Sequence, residues 1–260
     1  MKFKTFQLFV DKKFMELDEM KKICEDGEPT FRHNKEFFEI ELEILEKRFL
    51  WMSCQYDNAE LYIEHVWDSV SQKREDNPRK KSQIECRKQL FVCYDCDTNI
   101  LYINDMQKRT FLSEYFSAIL NKNVGTKNII RSLDDFQQIV NTLKQVKFIQ
   151  QRNIMTTSTG SIFEQTANIY GFDAPQRMYM KLDYNSTPIK KMKDFINKLK
   201  SKRDIGEFED IIIVGEDDNG IEHSFDFSSI IKSISIEPSK NENGQYFAKD
   251  VKNHLLSEIR

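Results

Sequence analysis

The strongest pattern in the chain is an alternation. Phe38, Ile40, Leu42 and Ile44 are interleaved with Glu39, Glu41 and Glu43, the period-2 signature of a strand with one dry face and one acidic, wet face. Phe6, Leu8 and Val10 alternate in the same way near the start. Residues 49–56 and 61–70 read as two more strands, joined by a turn at Asp57-Asn58-Ala59. Residues 71–88 are polar, contain Pro78 and read as a long exposed loop. After them, 89–94 and 100–103 flank Asp95-Cys96-Asp97-Thr98-Asn99, which is a hairpin signal.

Other segments follow the helical period. Phe14, Leu17, Met20 and Cys24 share one face of a helix over 14–24, and Phe111, Leu112, Tyr115, Phe116 and Ile119 form a wide stripe over 107–120. Ser132, with Asp134 and Asp135 after it, predicts the N-terminus of a helix over 133–145. A strand over 146–150, a short helix over 161–170 ending at Gly171, and a strand carrying Met178, Met180 and Leu182 come next. Pro188 opens the clearest helix, 188–203, with Ile189, Met192, Phe195, Ile196 and Leu199 on its apolar face. Residues 210–214 and 221–227 form a hairpin across Asn219-Gly220, a strand covers 232–237, and a helix over 247–259 closes the chain. This order predicts an α+β fold of mostly antiparallel sheets with packed helices rather than a βαβ series. Asn and Gly cluster at 121–127, so two sub-domains are expected: a β-rich one over 1–122 and an α+β one over 123–260.

Composition supports a real core. The 260 residues include 20 Phe, 9 Tyr and 2 Trp, against only 8 Gly and 5 Pro. The first ten residues are too short and too charged for a signal peptide, and no window reaches the ~18 apolar residues of a membrane helix, so a cytoplasmic, membrane-free protein is expected. Five cysteines, an odd number, argue for reduced thiols.

Candidate catalytic chemistry is sparse. Cys93-Tyr94-Asp95-Cys96 is a CxxC without a second ligand pair, and its cysteines point to opposite faces if the segment is a strand. The four histidines, His33, His65, His223 and His254, form no metal motif. Gly215 to Gly220 matches a phosphate loop in glycine spacing but puts three acids where phosphate would sit, and Ser229-Ile230-Ile231-Lys232 fits SxxK without a partner motif. Asp11, Glu19 and Lys21 could approximate a Mg²⁺ nuclease set, but the last two fall on a helix where i and i+2 diverge. These patterns support no catalytic residue, metal or cofactor, and they weigh against an enzyme.

Charge is more informative. The net charge is −3, so any affinity for nucleic acid must come from a local patch. Residues 188–203 carry seven cations against one acid, Asp194, and residues 71–88 carry seven against three. Residues 204–226 carry nine acids and no Lys or Arg. Phosphates attract such Lys/Arg clusters through counterion release. The candidate contacts are Lys190, Lys191, Lys198, Lys200, Lys202 and Arg203, with Arg79, Lys80 and Lys81. The blander reading is a solvated helix whose lysines balance the neighbouring acids.

Three features together resemble the RexA-type phage-exclusion proteins and, more distantly, the KwaB-type anti-phage proteins. The first is the strand Leu90-Phe91-Val92 with its acidic turn. The second is Lys147-Phe148-Ile149-Gln150-Gln151-Arg152 leading through Met155-Thr156-Thr157 to a small helix. The third is the strand–basic helix–strand unit over 177–214 followed by Glu216-Asp217-Asp218-Asn219-Gly220. The resemblance covers about residues 90–260 and carries no catalytic residue. It implies a cytoplasmic defence protein that binds duplex DNA without cutting it, as a dimer. The acidic stretch 204–226 departs from a simple DNA-binding face. The alternatives are a metal-dependent nuclease effector and a subunit that binds a defence-system partner or its own copy through its two charged lobes.

Overall fold

The computed structural model describes residues 1–59, 62–130, 132–152, 162–227 and 233–260, with Ser186 and residues 190–193 described by their backbone alone. Met155-Thr156-Thr157, the Ser229/Lys232 pattern and the first residues of the 161–170 and 232–237 elements lie outside the described residues. The fold is α+β, with antiparallel sheets and packed helices. The chain divides into two compact units, one of residues 1–11, 15–126 and 232–260, the other of 12–14 and 127–231. A single boundary near residue 122 was expected, and the chain instead re-enters the first unit for its last helix.

The first unit contains β1 (Lys2–Val10), and the second receives the two-residue β2 (Lys13–Phe14). The first continues with α1 (Leu17–Asp26), β3 (Thr30–His33), β4 (Glu36–Leu45), β5 (Phe49–Asn58), β6 (His65–Asp68), β7 (Lys73–Asp76), β8 (Lys88–Asp95) and β9 (Ile100–Ile103). A 3-10 turn at Met106–Lys108 leads into α2 (Arg109–Leu120), followed by β10 (Val124–Asn128). The large sheet runs β10-β1-β9-β8-β5-β4-β3.

Alternation in β4 buries Phe38 and Ile40 and leaves Glu39, Glu41 and Glu43 exposed, as the sequence pattern predicts. Ile40 lies opposite Cys54, which lies opposite Leu90, so one dry face runs across three strands. Phe111, Leu112, Tyr115 and Phe116 of α2, with Met20 and Ile23 of α1, complete that core. The Phe38 and Phe111 rings stack at 3.7 Å. The opposite face buries Phe3, Trp51, Phe91, Cys93 and Tyr102.

The second unit holds α3 (Leu133–Ile139), β11 (Thr142–Gln151), α4 (Ile162–Tyr170), β12 (Arg177–Pro188), α5 (Ile189–Asp204), β13 (Phe208–Glu216) and β14 (Glu222–Asp226). Its antiparallel sheet runs β12-β11-β13-β14. Phe136, Leu143, Val146, Ile189, Ile196, Leu199, Ile211, Ile213 and Phe225 make a separate core. The chain then returns to the first unit with β15 (Ser233–Ser235), which pairs with β1, and α6 (Ala248–Ile259). The Lys252–Glu43 and Arg260–Glu46 ion pairs tie α6 to β4 and its turn.

Two expectations need correction. The 133–145 helix ends at Ile139, because Val140 is extended and Asn141 already donates its amide to the Glu216 carbonyl as the chain enters β11. The Ser132 hydroxyl does cap it, accepting from the Asp135 amide. The 61–70 strand shrinks to β6, and the 71–88 loop contains β7, which pairs with it. The polar β7 cannot complete a core, so the apolar residues of β6 stay outside one.

One ionic contact joins two turns of the large sheet. Asp95, fully buried, accepts two hydrogen bonds from the Arg48 guanidinium at 2.7 and 2.8 Å, and others from the Asp97 amide and the Thr98 hydroxyl. Removing Asp95 leaves Arg48 with only the more exposed Asp97, at 3.3 Å, and strips the Asp97 amide and Thr98 hydroxyl of their acceptor. Asp95→Ala is expected to lower stability by about 3 kcal/mol, read as a drop in the urea midpoint at unchanged slope.

Candidate nucleic-acid interface

Helix α5 buries Ile189, Ile196 and Leu199, and among its described cations Lys198, Lys200 and Lys202 lie off that face. Lys198 and Lys202 lie four residues apart on one flank, whereas Lys200, two residues from either, points to the other. Lys202 is paired with Glu207. Arg203 turns toward the core, where it donates to the Phe227 carbonyl, pairs with Asp204 at 3.1 Å and sits over the Phe227 ring. Lys198 and Lys200 are exposed, with no ion pair among the described residues. The side chains of Lys190 and Lys191 lie outside the described ones.

The acidic stretch is not an isolated negative lobe. Glu216 pairs with Lys144 at 2.8 Å, Glu209 and Asp210 lie 3.6 and 3.8 Å from Arg177, and Asp217 bonds His223 at 3.1 Å. Asp217 also accepts from the Asn219 and Ile221 amides and so builds the hairpin turn, where Gly220 has a φ of 74°. Burial alone would raise its carboxyl, but those amides and His223 together hold it below the usual carboxylate range. Part of the blander reading therefore applies: Lys202 and Arg203 do balance adjacent acids.

The other basic cluster lies in the first unit, on the excursion between β5 and β8. Asp57, at the end of β5, is buried and accepts from Arg87 at 2.8 Å, with Lys88 at 3.8 Å, which closes the excursion at its base. Next to it, Tyr56 donates its hydroxyl to Asp105, and Lys108 pairs with Glu36 over the Tyr56 ring at 4.7 Å. Further out, β6 and β7 form a two-stranded ribbon. The Asn77 amide donates to the Glu64 carbonyl and its side chain to the Ile63 carbonyl, both pinning the ribbon's root. Asn77 Oδ1 then accepts from the Arg79 amide, and the Arg79 guanidinium lies 5.5 Å from the centre of the Tyr62 ring. Lys80 and Lys81 are exposed, with no ion pair among the described residues. The two basic clusters thus belong to different units.

The remaining candidates are engaged individually. Cys93 is buried, which pushes its thiol well up, and Cys96 packs against the main core. His33 donates from Nδ1 to the Glu114 carboxylate at 2.8 Å and accepts at Nε2 from the Asn34 side-chain amide at 2.9 Å. Glu19 pairs with Lys122, Lys21 with Asp18, and Asp11 accepts from the Asn123 amide, so these three do not converge. Among the described residues no three His, Cys, Asp or Glu side chains are grouped to hold a metal ion, and no helix is long and apolar enough to cross a membrane. No protein-family model matches the chain, and no curated protein matches it.

Trp67 and Arg74 are absent from the sequence-derived set. The available signal was spacing: the apolar run 61–70 is followed at hairpin distance by Lys73-Arg74-Glu75-Asp76, a partner strand with nothing to bury. Asp57 gives this region a pH dependence. Burial would raise its carboxyl, but the Asn58 amide, Arg87 and Lys88 outweigh it and the carboxyl is lowered. Its stabilisation is present above the unfolded pKa of about 3.9 and is lost as pH falls through the lower folded value. In urea titrations across pH, Asp57→Asn should cost about 1 kcal/mol at neutral pH, and the gap to wild type should close below about pH 4.

Proposed function

We propose that the protein binds the phosphate backbone of nucleic acid, duplex DNA included, without cutting it, as a component of bacterial anti-phage defence. The observation that carries this reading is the state of four lysines. Lys80, Lys81, Lys198 and Lys200 are exposed, and among the described residues no carboxylate pairs with any of them. The resemblance to RexA-type phage-exclusion proteins supports the same reading and supplies its biological setting.

Lys202 and Arg203 contribute less than their positions suggest, since each is tied to a neighbouring carboxylate. Contacts from lysine to phosphate position a ligand but do not read its bases, so binding is sequence-independent. Each phosphate neutralised releases condensed counterions, and affinity therefore falls steeply with salt. The clusters act as two separate contact points, one per unit.

Fluorescence anisotropy with a labelled duplex of arbitrary sequence tests this. Binding should be measurable at low salt, and the slope of log affinity against log salt should shrink by about 2 in the Lys198→Ala/Lys200→Ala double variant. Absence of binding at low salt, or a slope unchanged by the substitutions, would contradict the proposal.

A further inference from the structure

We infer that the β6–β7 ribbon is a stacking platform for unpaired bases, so that the nucleic acid taken by this region is single-stranded. The inference rests on the backbone-binding reading and names the ligand class for one of its two clusters.

Cross-strand partners share a face, and successive residues alternate. In this ribbon His65 lies opposite Asp76 and Trp67 opposite Arg74, while Val66 lies opposite Glu75 and Asp68 opposite Lys73. One face therefore shows Trp67 directly beside Arg74. Trp67 is 65% exposed, although an indole is among the most favourable groups to bury. Its cross-strand partner, Arg74, is exposed and has no ion pair among the described residues.

Most of the acids nearby have partners of their own. On the Trp67 face Asp76 is tied to His65 at 3.0 Å. Asp68 and Glu75 belong to the other face. Asp68 accepts from the Val70 and Ser71 amides and shapes the tip, and Glu75 accepts from the Ser71 hydroxyl. Glu64 is exposed at the root, where its carbonyl accepts from Asn77.

At that root an aromatic–cation pair, Tyr62 with Arg79, is followed by Lys80 and Lys81. Tyr62 lies five residues before Trp67, with a bend at Glu64, so the two positions are at most about 16 Å apart. Both aromatics thus belong to the same short segment, within reach of one single strand. Aromatic rings take the bases and interspersed cations take the phosphates, a combination that suits single strands of any sequence. Bases in a duplex are stacked on one another and have no free face to offer Trp67.

The chain reports on itself, because its other tryptophan, Trp51, is buried at 4% exposure. Full-length protein would be titrated at low salt with oligo-dT of about 20 nucleotides and with a duplex of equal length, following tryptophan emission and anisotropy. Oligo-dT should quench the exposed component, and the duplex should not. Trp67→Ala should weaken oligo-dT about tenfold and leave duplex affinity unchanged, and Trp67→Phe should restore most of the loss. Unchanged Trp51 emission would show that the variants are folded. Duplex binding without quenching or Trp67 dependence on oligo-dT overturns this inference alone. Failure of both ligands to bind overturns it together with the backbone-binding reading. An oligo-dT affinity indifferent to Trp67→Ala also overturns it.

Discussion

The buried Asp95 carboxylate organises one end of the large sheet. It gathers the Arg48 guanidinium, the Asp97 amide and the Thr98 hydroxyl around a single site, tying the turn before β5 to the turn after β8. Phe49 is thereby set opposite Asp95, and the β5–β8 register follows down to Tyr56 opposite Lys88. A slip of one residue would send Leu50, Met52 and Cys54 out of the core and bring Trp51 and Ser53 in. At the far end of the same two strands, the Asp57–Arg87 pair closes the excursion. The sheet is thus clamped ionically at both ends of β5 and β8, and the ribbon that bears Trp67 and Arg74 projects from the second clamp.

Function on this account uses what folding leaves over. Several charged groups have structural work: Lys252 and Arg260 hold α6, Lys108 holds the start of β4, Arg203 holds the segment after β14, and Asp217 builds a turn. Lys80, Lys81, Lys198 and Lys200 have no comparable partner among the described residues. Exposed charge without a carboxylate nearby keeps its long-range attraction for phosphate, whereas a paired lysine has given much of it up. Most of the described Phe side chains are buried in the protein's cores or packed against them, whereas Trp67, like Phe172 and Phe247, stands outside them.

Much of the fold was legible because local pattern and tertiary burial agree. The Glu/apolar alternation of β4, the Asn219-Gly220 hairpin and the apolar stripe of α5 each place residues where the structure has them. Pro188 caps α5 rather than occupying its first turn, a one-residue difference of the size helix boundaries carry. Legibility fails where the deciding partner is distant in sequence. The pairing of β15 with β1 spans the whole chain, and no local signal announces it. The candidate site was half legible for the same reason. Counting charges within 204–226 missed Lys144 and Arg177, which come from other strands to meet the acids. Apolar residues in 61–70 predicted a strand, but that β6 would pair only with the polar β7 and stay exposed depends on the segment that follows.

The most direct test of the account is hydrogen–deuterium exchange across the whole chain, with and without saturating nucleic acid at low salt. The account places the contacts on the 62–81 ribbon and root and on the exposed flanks of α5. Protection should therefore concentrate in those two segments and leave the 216–222 hairpin unchanged. Protection spread over the acidic hairpin, with the ribbon and α5 exchanging as in the free protein, would contradict it.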